Sequence, residues 1–236
     1  MNDGLFHFKR FSVAHSRSSM KVGVDGVLIG AWADCQGERL LDVGTGCGLI
    51  ALMLAQRNPS ATVVAIDIDS DSVEEASLNF SKSEWSGRMS ARLISFSALV
   101  DSGERFDRIV SNPPYFNSGV TDFTTARNVA RHQGTLSPRA LVRGAAAMLT
   151  ESGLLSMIVP AEFLDDVCAA AHEEGFRPVR VCLVRTTAAK HPKRVMIELG
   201  KGSRIEIDSD CLSMFDPSGN PTREYRSLGK DFYLKF

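Results

Sequence analysis

The sequence of 236 residues lacks the features of a secreted, membrane-spanning or metal-binding protein. It has no apolar run long enough to cross a bilayer, and its start lacks an apolar stretch leading to a small-residue cleavage site. Its five cysteines form no CxxC pair and have no His or Cys neighbours at metal-ligand spacing. We therefore expect a cytoplasmic protein, with no membrane and no metal, whose thiols are reduced and mostly buried.

The sequence also lacks an excess of charge of either sign, because its formal net charge is −1. That value argues against a protein that holds nucleic acid by bulk electrostatics, but it permits a locally basic face. The chain has no internal repeat and no low-complexity tract. Its apolar content of 44% and its length predict one main globular core. We expect a monomer.

From Arg39 onward, apolar strand-like runs alternate with amphipathic segments of helix length, a pattern typical of a parallel sheet covered by helices. The strands are predicted at residues 39–44, 62–67, 90–95, 106–112, 153–160, 179–185 and 194–199. The helices are predicted at residues 48–58, 70–83, 137–150 and 161–175. No helix separates the last two strands, so they should pair antiparallel as a hairpin at the end of the sheet.

This α/β pattern divides the chain into three predicted parts. Residues 1–38 would form an N-terminal cap segment with a short helix from Asp25, 39–200 the core, and 201–236 a C-terminal extension packed on the core. Two helix starts are also marked by capping residues. Ser70 or Ser72 suits the second core helix, and Ser137 with Pro138 suits the third.

A glycine-rich turn follows the first core strand. Glycines there let the backbone turn sharply and approach a ligand, while the following helix offers free N–H groups. The order is G-x-G-x-G with an acid two residues earlier, whereas a dinucleotide site has G-x-G-x-x-G. The acid disfavours a pyrophosphate and suits a cationic amino-acid headgroup. Plain packing of strand on helix is the alternative. The turn contains Asp42, Gly44, Gly46 and Gly48.

An acid also ends the second core strand. Asp67 lies roughly 20 residues after the glycine turn, at the offset where a carboxylate accepts hydrogen bonds from both ribose hydroxyls. A helix cap is the alternative for Asp67, and it is the favoured interpretation for Asp69 and Asp71.

With these two motifs the sequence resembles the class I S-adenosylmethionine-dependent methyltransferases. The resemblance implies a Rossmann-like sheet of seven strands with the last one antiparallel, helices on both faces, and S-adenosyl-L-methionine as the cofactor. It also implies that Ile68 joins the site and that Ser95, Phe96 or Ser97 takes the place of the residue that contacts the adenine ring.

The stretch NPPY, Asn112 to Tyr115, directly follows the fourth core strand, which lies beside the first in a doubly wound sheet. The Asn112 side-chain oxygen and the Pro113 carbonyl could grip the hydrogens of a planar amino group and hold it at the cofactor's methyl. Pro114 stiffens the turn, and Tyr115 and Phe116 offer rings against which a base can stack. A stiff turn without chemistry is the alternative.

NPPY marks the amino-methylating members of this class, which act on adenine N6, guanine N2 or glutamine side chains. The N-terminal segment narrows the choice, because residues 20–33 follow the pattern M-K-V-G-x-D-G-x-L-x-G-A-W-A. This block resembles the start of the bacterial tRNA1(Val) (adenine-37-N6)-methyltransferases. The resemblance implies transfer to N6 of an adenosine in a tRNA anticodon loop. DNA is not an expected substrate, because the sequence leaves no room for the separate sequence-reading domain that DNA adenine methyltransferases usually carry.

The same segment predicts further binding residues. Lys21 precedes a helix that could close over the cofactor, although a simple cap over the sheet edge is equally open for Lys21 and Asp25. Trp32 is interpreted as core. A basic rim for tRNA phosphates would include Arg127, Arg131 and His132 near the mouth of the site. Further basic residues lie at the start of the chain and in the last hairpin: Lys9, Arg10, His15, Arg17, Lys190, His191, Lys193 and Arg194.

Three other functions stay open from the sequence. A guanine N2 or glutamine methyltransferase would share NPPY. An RNA-binding protein without catalysis would have no need to retain the acids and glycines of a cofactor site. A nicotinamide-dependent oxidoreductase is disfavoured by the glycine spacing.

Overall fold

The computed structural model describes residues 4–18, 20–113, 136–202 and 207–236. The strands are β1 Leu5–His7, β2 Ser12–Ala14, β3 Arg39–Val43, β4 Thr62–Asp67, β5 Met89–Leu93, β6 Phe106–Ser111, β7 Leu149–Pro160, β8 Phe176–Thr187, β9 Arg194–Lys201 and β10 Asp208–Phe215. The helices are α1 Val24–Trp32, α2 Leu49–Arg57, α3 Ser70–Ser81, α4 Phe96–Asp101, α5 Pro138–Met148, α6 Leu164–Glu173 and α7 Arg223–Gly229.

Eight of these strands form one sheet in the order β10-β8-β9-β7-β6-β3-β4-β5. The strands from β3 to β7 pair parallel with their neighbours, and β9 is antiparallel to both β7 and β8. The mostly parallel α/β sheet with an antiparallel hairpin is therefore confirmed. The hairpin is not at the edge, because β10 pairs parallel with β8 and adds an eighth strand to the seven predicted.

Helices cover both faces of the sheet, as predicted, because apolar residues on each strand point alternately to two separate cores. Leu40 and Val63 pack with α1 and α2 in one core. Leu41 and Val64 point the other way and pack with α4, α5 and α6. Such strands are buried on both faces, and this burial explains their continuous apolar runs.

Helix starts follow local capping chemistry. Ser137 caps α5 as predicted, accepting a hydrogen bond from the Ala140 N–H, with Pro138 in the first turn. The start of α3 confirms the cap interpretation of Asp69, which accepts from the Ser72 N–H, whereas the alternative caps Ser70 and Ser72 were wrong. The short helix α1 is confirmed and begins at Val24.

The two ends of the chain pack together on the first core. Phe8 forms a bridge with Tyr233, and the Lys9 N–H donates to the Phe232 carbonyl at 2.9 Å. Trp32 lies partly buried against the same core, in agreement with its interpretation as a packing residue. The division into cap, core and extension stays a prediction, although β10 belongs to the central sheet.

Three of the free cysteines are buried, as expected, and burial raises the pKa of the Cys47 thiol to about 12 and that of Cys182 to about 11. Cys168 is partly exposed and Cys211 is exposed. In the described ranges no helix is long and apolar enough to span a membrane.

Candidate functional site

The candidate site lies at the carboxyl edge of the sheet where the strand order reverses. β3 is paired with β4 on one side and β6 on the other, and the turns after the three strands emerge at this edge. Ligands of open α/β sheets bind at such a switch point. Ser111 fixes the geometry, because its hydroxyl donates to the Val43 carbonyl at 2.8 Å and holds the end of β6 against the end of β3.

The glycine turn after β3 requires its glycines. Gly44, Gly46 and Gly48 have φ of 71°, 52° and 84°, in the left-handed region that other residues avoid. A Cβ on Gly48 would come within 2.5 Å of the Phe80 ring, whereas one on Gly44 would meet nothing within 4 Å. The space above Gly44 is thus open to a ligand, and Gly48 serves close packing on α3.

Asp42 lies under this turn and is fully buried. One oxygen accepts from the Thr45 hydroxyl at 2.6 Å and the Ala51 N–H at 3.2 Å, while the other has no hydrogen-bond partner. Burial raises the pKa of Asp42 to about 7, against the lowering effect of the two hydrogen bonds. Asp42 therefore holds the turn on α2, and it reaches no solvent from which to contact a ligand's headgroup directly.

Asp67 ends β4 and is partly exposed. Its Oδ2 accepts from the Gly46 N–H at 2.9 Å and its Oδ1 from the Asp69 N–H at 3.1 Å. Carboxylate oxygens accept more than one hydrogen bond, so the partly exposed group keeps capacity for hydroxyl donors. Ile68, 56% exposed, and Leu93, which pairs with Asp67 in the sheet, add an apolar surface beside it.

The residues expected near the adenine ring lie at the start of α4. Ser95 caps this helix by accepting from the Ala98 N–H, and its hydroxyl lies 3.1 Å from the Ser97 hydroxyl. Phe96 is buried and faces Gly144 of α5, where a Cβ would come within 2.3 Å of its ring. Phe96 thus packs in the second core, whereas Ser95 is partly exposed and Ser97 is exposed.

Asn112 follows β6 at the switch point, and the next residue, Pro113, is buried. The Asn112 side-chain nitrogen donates to the Met20 sulfur at 3.7 Å. The Met20 carbonyl oxygen in turn lies 3.7 Å from the place of a Cβ on Gly46. The N-terminal segment therefore joins the glycine turn to Asn112, and exposed Lys21 comes directly after Met20.

Several predicted substrate residues lie outside the described residues. These are Pro114, Tyr115, Phe116, Arg127, Arg131 and His132.

The basic residues of the predicted rim fall into two groups. Arg10 and Arg17 form ion pairs with Glu84 and Glu74 on the surface. The loop before β9 lies at the carboxyl edge of the sheet, because Arg194 pairs with Pro160 at the end of β7. Exposed Lys190, His191 and Lys193 lie in that loop, and Arg194 forms an ion pair with Asp25 at 2.8 Å.

Sequence reasoning missed two side chains that shape the site, Glu75 and Asn79 of α3. Both are almost fully buried and hydrogen-bond the N-terminal segment. Their only signal in the sequence is a pair of polar residues one helical turn apart on the face of α3 that should be apolar.

The residues at this edge fit a cofactor with an adenosine and an amino-acid moiety. The space above Gly44 is open, the partly exposed Asp67 carboxylate keeps capacity for hydroxyl donors, and the buried Asp42 oxygen without a partner lies beneath the turn. In the parts of the chain that are described, no three His, Cys, Asp or Glu side chains are grouped to hold a metal ion.

Comparisons of sequence identify the family of the chain. The model of the "Methyltransferase small domain" family matches residues 16–181. A tRNA1(Val) (adenine(37)-N6)-methyltransferase of Parabacteroides distasonis is 41% identical over the full length of both chains. One from Bacteroides thetaiotaomicron is 38% identical over 99% of each chain.

Comparisons of structure agree on the fold. A predicted O-methyltransferase of Agrobacterium tumefaciens has a TM-score of 0.69 at 21% identity, covering 88% of this chain and 96% of that one. The T. thermophilus 16S rRNA N2 G1207 methyltransferase, solved in complex with AdoMet and guanosine, has a TM-score of 0.58 at 22% identity, covering 84% and 50%. With its full-length relatives and its matching domain, this chain belongs to the methyltransferase small domain family, and within it to the family of the tRNA1(Val) (adenine(37)-N6)-methyltransferases.

Proposed function

We propose that this enzyme transfers a methyl group from S-adenosyl-L-methionine to N6 of adenosine 37 in the anticodon loop of tRNA1(Val). The observation that carries the proposal is the position of Asn112. It follows β6 at the switch point and contacts Met20, which itself lies against Gly46 of the glycine turn. An amide that can hold an amino group is thereby placed next to the site that fits the cofactor.

The cofactor would be held at the glycine turn, with the ribose on Asp67 and the adenine beside Ile68 and the serines at the start of α4. When bound there, it supplies an electrophilic methyl group. Lys21, at the mouth of the turn, is proposed to contact the cofactor's carboxylate. Asp42 would act from beneath, by fixing the turn on α2 through Thr45 and Ala51.

Asn112 and Pro113 are the proposed catalytic residues, together with Tyr115. The exocyclic nitrogen of adenine is a poor nucleophile because its lone pair is delocalised into the ring. The Asn112 side-chain oxygen and the Pro113 carbonyl would accept its two hydrogens and orient the nitrogen for attack. No general base is required for orientation, and the product loses its extra proton to solvent.

The tRNA would approach this edge of the sheet. A base stacked in a loop must turn outward to reach Asn112, and single-stranded loops permit this at least cost. Tyr115 and Phe116 are proposed to stack on the base, with Pro114 stiffening the turn, and Arg127, Arg131 and His132 to contact phosphates. The loop with Lys190 and Lys193, at the same edge, supports a phosphate path there. A monomer and a cytoplasmic location are part of the proposal.

The test is methyl transfer from labelled S-adenosylmethionine to unmodified total tRNA, followed by nucleoside mass spectrometry. We expect N6-methyladenosine at position 37 of tRNA1(Val). Asn112→Ala should lower kcat at least 100-fold, roughly the loss seen when a donor that stabilises a transition state is removed. Its affinity for S-adenosylhomocysteine should change little.

Asn220→Ala is the matched control, because Asn220 hydrogen-bonds Asp216 in an exposed turn near the end of the chain. It should leave the rate unchanged. Label in rRNA or protein would keep amino methylation and reject the tRNA assignment. Wild-type turnover by Asn112→Ala would reject the mechanism, and no transfer to any acceptor would favour an RNA-binding protein.

A further inference from the structure

The segment of residues 14–18 is held beside the glycine turn by two buried side chains of α3. Glu75 and Asn79 lie one helical turn apart and are 2% and 3% exposed. Both point at the backbone of the segment rather than at other side chains of the helix. Their contacts form a continuous path from α3 to Asn112.

Glu75 gathers three consecutive backbone N–H groups. Its Oε1 accepts from Ser16 at 2.8 Å and Arg17 at 3.0 Å, and its Oε2 accepts from Ser18 at 2.9 Å. Burial works against the charged form, but the N–H groups of Ser18, Arg17 and Ser16 outweigh it and lower the pKa of Glu75. Hydrogen bonds to a carboxylate are stronger than neutral ones, so this turn is held in one conformation.

Asn79 links the segment directly to the glycine turn. Its side-chain nitrogen donates to the carbonyls of Ala14 and Cys47, both at 2.8 Å, and its oxygen accepts from the Ala14 N–H at 2.9 Å. Cys47 lies between Gly46 and Gly48. One side chain therefore fixes the end of β2 and the cofactor turn relative to each other.

The path ends at the catalytic amide. The Ser18 hydroxyl donates to the Met20 carbonyl at 2.8 Å, which sets the position of Met20 beside Gly46. The Met20 sulfur accepts from Asn112. A segment that served only to cover α3 would do so with apolar residues, because a buried carboxylate is costly unless it is fully hydrogen-bonded.

We propose that Glu75 and Asn79 are positioning residues, which fix residues 14–18 as one wall of the cofactor site and so place Met20 between the glycine turn and Asn112. The inference rests on the proposed function, because it assumes that S-adenosylmethionine binds at the glycine turn.

The test compares Glu75→Gln with Glu74→Gln. Gln keeps one oxygen for Ser16 and Arg17 but turns an amide N–H₂ toward the Ser18 N–H, so the Ser18 end is released. Glu74 is the matched control, because it is exposed and its ion pair with the Arg17 side chain, at 3.1 Å, lies on the surface. We expect Glu75→Gln to raise the Kd for S-adenosylhomocysteine and the KM for S-adenosylmethionine about 10-fold, with kcat changed less than about 3-fold. Glu74→Gln should match the wild type.

Trypsin gives a readout that does not depend on activity. Release of the segment should speed cleavage after Arg17 and Lys21 in Glu75→Gln, with the cut sites identified by mass spectrometry, and S-adenosylhomocysteine should protect the wild type. Equal affinities and equal KM values for wild type and Glu75→Gln would overturn the inference, even if the melting temperature fell. Failure of the wild type to bind any cofactor would instead overturn the proposed function and the inference with it.

Two further variants keep the test decisive if Glu75→Gln does not fold. Ser18→Ala removes only the hydroxyl that holds the Met20 carbonyl, and it should raise KM for S-adenosylmethionine about 3-fold. Asn79→Asp keeps the acceptor for Ala14 and loses both donated bonds, and it should raise the same KM about 10-fold. Wild-type KM values in both would overturn the inference.

Discussion

Two buried acids in different regions of the sheet show how a structural carboxylate differs from one in a ligand site. Glu198 of β9, 3% exposed, uses both oxygens: it accepts from the Asp34 N–H and the Ser156 hydroxyl, and it pairs with Arg180 at 3.0 Å. Asp42 of β3, fully buried at the glycine turn, has one oxygen without a partner. The fold therefore satisfies the carboxylate of Glu198 fully and that of Asp42 only in part.

The largest expected effect concerns the pH dependence of stability at Asp42. Its pKa is raised to about 7 in the fold, so the folded protein holds a proton that the unfolded chain releases above about pH 4. The contribution of Asp42 to the protein's stability is therefore greatest below about pH 4. As the pH rises to 7, the free energy of unfolding falls by roughly 4 kcal/mol. Asp42→Asn removes this slope.

Urea unfolding at pH 5, 6, 7 and 8 checks this expectation. The stability of Asp42→Asn relative to wild type should increase from pH 5 to 7 and then level off. If the free energies of unfolding of wild type and Asp42→Asn changed equally with pH, Asp42 would not be a strained acid. Its difference from Glu198 would then be refuted.

The second effect comes from removing the carboxylate of Glu198, both of whose oxygens have partners. Glu198→Ala leaves Arg180 without its carboxylate and the Asp34 N–H without its acceptor, so it should lower the free energy of unfolding by roughly 3 kcal/mol. Denaturant unfolding at pH 7 measures the loss. The control is Glu224→Ala, an exposed acid in the first turn of α7, which should cost below about 1 kcal/mol. Equal losses would show that saturation adds no stability.

The smallest expected effect concerns Asp67, whose burial lies between that of a structural acid and that of a fully exposed one. Asp67 holds two backbone N–H groups and is still partly exposed, so it should serve both fold and ligand. Asp67→Ala should weaken S-adenosylhomocysteine binding about 10-fold by calorimetry while the protein stays folded. Asp71→Ala, on the exposed first turn of α3, should bind normally. Unchanged affinity for Asp67→Ala would remove it from the ribose site.

The fold was largely predictable because buried parallel strands are recognisable in the sequence as continuous apolar runs. Thr62–Asp67 was predicted with its observed bounds. β10 was not recognised as a regular strand, because it begins with the polar residues Asp208 to Asp210 and only Leu212 within it is buried. α4 was missed because six residues are too few for helical periodicity to show.

The site was predictable where it depends on strand ends and less so where it depends on packing. The carboxyl ends of β3, β4 and β6 meet because of the sheet's topology, so motifs after these strands come together. The burial of Asp42 and Phe96 was not foreseen, since it depends on α2 and α5. Glu75 bonds residues more than fifty positions earlier in the chain, and no local pattern specifies such a partner.

The joining of the two chain ends has a consequence for biosynthesis. The hairpin that leads into residues 14–18 is bonded through Lys9 to Phe232 and Lys230, the latter 221 positions later. On the ribosome, the glycine turn and α3 emerge before the residues that anchor Lys9, which come much later in the chain. The first strands can therefore gain these two anchors only after Lys230 and Phe232 have been translated, although the strands themselves emerge first.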